Sequence, residues 1–474
     1  MFLVVLGSVL VAAASGLAVK KILDLRESYC EITWKEYGIG MAALSAVIIP
    51  LATYAGWSIA KSNNLTFDEF LNGWEIAAVK QEITCSRDGP CRHEYDCDPY
   101  TVIVPYECGG YEGSGENSHY VSRTCYRTET RYHSCPYVDM EMTYVVATTL
   151  GNYTIADHRF PDNPQSHRWR RSAAIPDYVI DAAGVGAHPF WTQAKARIES
   201  GFPGPVTKRA SYDNYILASD RTILKQYSSY IEGYLKAGLL PRLQTSVTSF
   251  YNADKVYFVG PAPANVPLWQ SRLGYLNAAL GTELQGDLHL VVARNERISA
   301  NPDAYILALK AYWQDAKSFE KNALSKNGIL VVLGTDGNTV LWGRCLTGMP
   351  MGNEMLTTAI REKFAGMQLT PEAVIGETKR QTSPTKGAQT VHGSGFLERM
   401  LWGMDEKTTR FKRLHMTGKE TGATGGFEYL ANEIQLTTGQ LVCLWLVNLV
   451  ACAIVWIVAA GVGERYRRKQ YDSW

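Results

Sequence analysis

An excess of charge of either sign is the first thing this sequence lacks. Its 474 residues hold 47 Lys and Arg against 46 Asp and Glu. A general nucleic-acid binder neutralises phosphates with a basic face, so this balance excludes nucleic acid as the expected partner. Catalytic signatures are missing too. There is no Gly-x-Ser-x-Gly elbow, no P-loop and no His-Glu-x-x-His pair, so no catalytic residue is assigned. The short Cys-x2-4-Cys knuckles of zinc sites are also absent. In the cysteine-rich stretch the nearest cysteines stand six residues apart.

Charge is absent as well from three long apolar runs: Met1–Val19, Ile39–Ala60 and Leu441–Val462. Each approaches the roughly 20 residues that cross a hydrocarbon core as a helix. Pro50 and Asn448 are the most disruptive residues within them, and both are tolerated in membrane helices. The first run has no positively charged start, so a retained helix is expected rather than a cleaved signal. Lys20, Lys21, Arg26 and Lys35 fill the loop between the first two runs, and Arg465, Arg467, Arg468 and Lys469 follow the third. Basic short loops stay in the cytoplasm. The long stretch from about Lys61 to Gln440 is therefore expected in the periplasm or extracellular space.

Cysteine usage points to the same side. Six of the ten cysteines (Cys85, Cys91, Cys97, Cys108, Cys125 and Cys135) lie in one polar, Gly-rich stretch. An even number in a segment too poor in apolar residues to form its own core reads as a disulfide framework. His93, His119 and His133 are interleaved and make zinc the rival reading, which the missing knuckles disfavour. Cys345 falls in an apolar run and reads as a buried free thiol.

Between residues 137 and 254 the pattern is mixed. Met142–Ala147, Tyr153–Ile155, Tyr212–Ala218 and Thr245–Tyr251 read as strands, and Thr222–Leu239 has helical spacing. Arg168, Arg170 and Arg171 form a basic cluster in a polar stretch that reads as a solvated loop.

From Val256 the order becomes regular. A short strand precedes a helix carrying Trp269, Leu273, Leu276, Leu280 and Leu284, and Leu288–Ala293 is the next strand. A second helix spans Asp303–Ala323. Gly328–Leu333 and Thr339–Gly343 flank an Asp336-Gly337 pair, the strongest short hairpin signal. Leu356, Ile360, Phe364 and Met367 mark a third helix. A sheet covered by helices on both faces is expected. Farther on, Lys379–Gln389 reads as an exposed loop. Phe396, Leu397, Met400, Leu401 and Trp402 read equally as an interfacial patch or as packing beneath this unit. Arg410, Lys412 and Arg413 suit contact with lipid headgroups.

Three features of this unit resemble the TPM domain family, membrane-associated α/β modules found outside the cytosol. One is the Leu-x-x-Ala-Leu-x-x-Glu-Leu helix, Leu276 to Leu284, leading into a strand. The second is the glycine-started apolar run within Lys326–Leu333, and the third is the acidic turn at Asp336. The resemblance covers about a quarter of the chain. It implies either phosphatase activity or a role in assembling membrane complexes. It also implies a divalent cation near the strand ends, for which Asp336, Asn353 and Glu354 are the corresponding positions. Family members continue into a Gly-x-Gly-Leu-Glu-like stretch, whereas this chain has Leu346–Glu354 of different sequence. The combination of anchors, cysteine-rich segment and α/β unit is similar, more weakly, to membrane proteins encoded by large tailed bacteriophages.

The expected fold class is an α+β membrane protein with three transmembrane helices, a disulfide-rich β segment and a TPM-like α/β domain. Its divisions fall at 1–19, 20–38, 39–60, 61–155, 156–254, 255–368, 369–439, 440–462 and 463–474. The expected function is a membrane-anchored extracytoplasmic scaffold or assembly protein, with the bilayer and other membrane proteins or a second copy as partners. The alternatives are a metal-dependent phosphatase, and a receptor or adhesion protein using the disulfide-rich segment.

Overall fold

The computed structural model describes residues 2–25, 33–82, 92–112, 119–138, 141–158, 189–219, 228–245, 253–349, 351–383, 387–416 and 426–471. Helix α1 (Phe2–Leu25) is followed by α2 (Trp34–Ala43), which runs through a π-helical turn (Leu44–Ile48) into α3 (Ile49–Leu65). The turn widens just ahead of Pro50, whose ring cannot fit behind a regular helical carbonyl and which offers no N–H. With the C-terminal helix (Thr438–Tyr471) these make three spans long and apolar enough to cross a membrane: Val4–Ile22, Trp34–Leu65 and Thr438–Val458.

The spans pack as a bundle. Small residues make room for indole rings. A Cβ on Gly40 would lie 2.4 Å from the Trp456 ring, and Gly16 stands against the same side chain. Trp456 is buried and stacks on Tyr37 at 5.3 Å, and Tyr37 donates to the Ala13 carbonyl at 3.0 Å. Asn448 donates to Ser8 Oγ at 3.0 Å and Thr53 Oγ1 at 3.2 Å, joining all three spans through one buried amide. Replacing Asn448 with leucine is expected to cost about 1–2 kcal/mol, the scale of interhelical hydrogen bonds in membranes. Ser8 already donates to Val4 O within its own helix, which limits the loss. A lowered thermal midpoint in nanodiscs checks this, and an unchanged one would show that the amide carries no net packing energy.

At one end of the bundle the two tethers are clasped. Asn64 Nδ2 donates to Gln440 Oε1 at 2.9 Å and Gln440 Nε2 donates back to Asn64 Oδ1 at 2.6 Å. The chain then enters β1 (Thr66–Glu82), β2 (Arg92–Glu112), β3 (His119–Val138), β4 (Glu141–Thr148), β5 (Gly151–His158), α4 (Pro189–Glu199) and β6 (Pro205–Asp213). Strands β5-β4-β1-β6 form an antiparallel sheet. Long β1 serves two neighbours: its first half pairs β6 and its second half pairs β4, with a bulge between Glu75 and Ala77. The sheet thus draws on both the 61–155 and 156–254 stretches. Phe190, Trp191 and Ala194 of α4 cover Tyr144, Val146 and Val206. Glu75, fully buried at the bulge, accepts from Arg197 Nε at 3.0 Å and Gly204 N at 2.7 Å.

The second sheet follows α5 (Ser228–Lys236). Its elements are β7 (Val256–Val259), α6 (Val266–Leu284), β8 (Asp287–Ala293), α7 (Pro302–Trp313), β9 (Gly328–Thr335), β10 (Val340–Thr347) and α8 (Glu354–Lys363). Strands β7, β8 and β9 are parallel and β10 is antiparallel to β9. Strands β8 and β9 are buried at every position, as expected for a parallel sheet covered on both faces. Helix α6, α8 and α9 (Phe396–Trp402) cover one face, and α5 and α7 the other. Phe396, Leu397, Met400 and Leu401 are therefore core residues of this unit and not a lipid-facing patch.

Several local expectations change. The strand expected at Tyr212–Ala218 stops at Asp213, because Asn214 caps a helical turn through Leu217 N at 3.1 Å. The helix expected to reach Ala323 ends at Trp313; Asp315 starts a new turn by accepting from Ser318 Oγ at 2.7 Å. The loop expected at Lys379–Gln389 contains a hairpin of β11 (Lys379–Ser383) and β12 (Gly387–Val391). Arg413 pairs with buried Glu69 at 3.1 Å and is not turned to headgroups. The basic cluster Arg168, Arg170 and Arg171, and most of Thr245–Tyr251, lie outside the described residues.

Candidate functional site

Among the described residues, strands β2 and β3 pair only with each other. Their 21 and 20 residues make a two-stranded ribbon about 70 Å long at roughly 3.3 Å per residue. Alternation divides its side chains between two faces. One carries Tyr100, Val102, Val104, Tyr106 and Cys108 opposite Cys125, Arg127, Glu129, Arg131 and His133. Its cross-strand contacts are internal. Cys108 and Cys125 form a disulfide with their Cα atoms 5.7 Å apart. Tyr100 and His133 stack at 4.5 Å, and the Arg127 guanidinium lies over Tyr106 at 5.9 Å. Glu129 is held by Arg127 at 2.6 Å and Arg131 at 3.5 Å, which lower its carboxyl pKa. The other face presents Thr101, Ile103, Pro105, Tyr126, Thr128, Thr130 and Tyr132. Ile103 and Tyr126 are 70% and 69% exposed.

Of the cysteines expected in disulfides, Cys85 and Cys91 lie outside the described residues, as do the side chains of Cys97 and Cys135. Cys345 is buried and free, its thiol pushed up to about 12 by burial.

The expected cation positions take other roles. Asp336 Oδ1 accepts from Asn338 N at 2.8 Å and Thr339 N at 2.7 Å, and Oδ2 accepts from Thr339 Oγ1 at 2.8 Å. These donors hold its carboxyl at about 2 and fulfil the turn. Asn353 binds the backbone of Lys412 at both ends of its amide, at 2.9 and 3.0 Å. Glu354 accepts from Gly352 N at 2.7 Å. Asp336 precedes the eight-residue β10 and Glu354 follows it, which separates them by about 26 Å along the strand direction. The structure does not bring these three together. Among the described residues no group of three His, Cys, Asp or Glu is arranged to hold a metal ion.

One titratable cluster had no sequence signal. His392, just past β12, meets the buried Glu398 of α9 at 3.0 Å and Glu283 of α6 at 3.5 Å. Glu398 also accepts from Thr378 at 2.6 Å, and Glu283 from Trp402 at 2.6 Å. Hydrogen bonds to the two carboxylates raise His392 from 6.5 to about 9. Because the folded value lies above the unfolded one, the stabilisation is complete below pH 6.5 and is lost as pH rises through about 9. The thermal midpoint is expected to fall across that window and to lose this component in His392→Gln; identical pH profiles would contradict it.

Two clefts flank α6 and share Ser271 and Tyr275, with volumes of about 400 and 360 Å³. Arg197 and Arg272 on their walls are already paired, with Glu75 and Glu377.

Comparison of the chain with family models, with curated proteins and with solved structures finds no match in any of the three.

Proposed function

We propose that this chain is a membrane-anchored extracytoplasmic scaffold or assembly protein that presents the β2–β3 ribbon to other membrane proteins or to a second copy of itself. The observation that carries the reading is the ribbon: a long arm with one face tied to itself and an apolar, threonine-rich face turned outward. The clasp between Asn64 and Gln440 supports it, because both tethers leave the bundle at one point and fix the body that carries the arm. Basic residues at Lys20, Lys21, Arg26 and Lys35 and at Arg465 to Lys469 favour a cytoplasmic position for the opposite end, which supports an extracytoplasmic body. The disulfide fits that oxidising side. In this reading the second sheet is a TPM-like unit acting as a rigid mount. Crosslinking the full-length protein in its native membrane tests the proposal: self-adducts or a fixed set of partners support it, and monomer alone opposes it.

The framework extends beyond one cross-link. Cys108 and Cys125 do not stand directly opposite: Cys108 faces Arg123 and Cys125 faces Tyr106. Tyr100 with His133, and Tyr106 with Arg127, touch along this same diagonal, which the twist of a ribbon shortens. On backbone register Cys97 faces His133 and Cys135 faces Tyr95, again the same diagonal. Peptide mapping without reduction is expected to recover Cys97 joined to Cys135. Recovery of Cys97 joined to any other cysteine would refute this register argument.

A further inference from the structure

The interface between the two sheets encloses four polar side chains from four distant parts of the sequence. Lys255, Asn72, Asp287 and Thr207 are each no more than 2% exposed. Lys255 Nζ bonds Asp287 Oδ1 and lies 3.2 Å from Asn72 Oδ1. Asn72 Nδ2 donates to the same Asp287 oxygen at 2.8 Å, and Thr207 Oγ1 donates to Asn72 Oδ1 at 3.0 Å. Behind them His289 Nε2 meets Asp287 Oδ2 at 3.0 Å, and the Tyr257 hydroxyl meets His289 Nδ1 at 3.3 Å. The Phe70 ring stands 5.4 Å from the amine.

A buried ion pair that merely joins two sheets needs neither a carboxamide beside the amine nor a hydroxyl on that carboxamide's oxygen. The arrangement does match the parts of an acyl transfer. A primary amine lies beside a carbonyl, a donor polarises the carbonyl oxygen, and one carboxylate touches both the amine and the leaving nitrogen. We propose that Lys255 and Asn72 form an intramolecular isopeptide bond, with Asp287 as the proton shuttle. Asp287 takes a proton from the Lys255 ammonium, and the free amine attacks Cγ of Asn72. Thr207 steadies the negative charge that builds on Oδ1. The second amine proton passes through Asp287 to Nδ2 as the Cγ–Nδ2 bond breaks and ammonia leaves. Of the three ammonium protons, one stays on the new amide, one leaves on ammonia and one remains on Asp287 or departs with ammonia as ammonium. No oxidant or water is consumed.

Burial lowers the Lys255 pKa and so favours the free amine. Burial of Asp287 is outweighed by Lys255 and His289, which hold its carboxyl below the usual carboxylate range, so Asp287 passes the proton on. The fold holds the reactants in place, which removes most of the entropy of bringing them together. Asn72 lies on β1 and Lys255 immediately before β7, so the bond would staple the tethered sheet to the second sheet. The bond does not depend on the proposed role for the ribbon.

Intact mass spectrometry of the reduced full-length protein in detergent tests it. The expected mass is one ammonia below that of the sequence, with a branched tryptic peptide joining Lys255 to Asn72. Asn72→Ala and Lys255→Met are expected to show their full sequence masses, as is Asp287→Asn. An unmodified wild-type mass, or an ammonia loss without the branched peptide, would overturn the proposal. A bond that persists in Asp287→Asn would remove the shuttle assigned to Asp287. The wild-type measurement decides the matter even if a variant fails to fold.

Discussion

Trp74→Ala is expected to destabilise the body formed by the two sheets by about 4 kcal/mol, within the range for deleting a buried tryptophan. Trp74 is fully buried near the middle of β1. It packs on Ala278 and Ala279 of α6 and lies 5.8 Å from the Tyr275 ring. The site cannot easily collapse into the space left behind. The Trp74 backbone is held by Thr149 on one side, at 3.0 and 2.9 Å, and by pairing with Pro205 on the other. The helix is already as close as it can come, since a Cβ on Gly281 would lie 2.2 Å from the Asn72 carbonyl oxygen. For a body of this size the loss corresponds to a midpoint lower by about 5 °C. Thermal melts of wild type and variant in the same micelles measure it. A midpoint within a degree of wild type would show that the two sheets do not depend on this shared core.

The second large effect concerns the ribbon. Replacing residues 92–138 with a short turn is expected to reduce partner capture by about 100-fold or more, as when several hot-spot side chains are lost together. Membrane insertion and the melting of the body should persist, because β2 and β3 contribute no strand to either four-stranded sheet. Ile103→Asp with Tyr126→Ser is the milder form, aimed at the two most exposed apolar side chains of the outward face. Co-purification from native membranes, with protease protection as the insertion control, reads both. Undiminished capture by the shortened protein would move the interaction surface to the body.

Much of the architecture could be read along the chain where a signal is local. Three uncharged apolar runs announce three spans because crossing a membrane depends on length and composition alone. Asp336-Gly337 announces the hairpin between β9 and β10, and the spacing Leu273, Leu276, Leu280 announces α6. Other features depend on how elements cross. Asn353, a ligand position on sequence, clamps Lys412, 59 residues away. Nothing near Asn72 indicates that Thr207, Lys255 and Asp287 converge on it. The hairpin of β11 and β12 is polar and mostly exposed, so it lacks the apolar alternation by which strands are recognised. The cysteines marked the 85–135 stretch for cross-linking, but only register pairs one with another.

The outward face of the ribbon is the proposed meeting surface between this protein and its partner. Photo-crosslinking residues placed singly at Ile103 and Tyr126, and as a control at exposed Leu341 of β10, test it in the full-length protein in its native membrane. The same protein adduct, a second copy or a defined membrane partner, is expected from both ribbon positions and not from Leu341. Equal or absent capture at all three positions would contradict it.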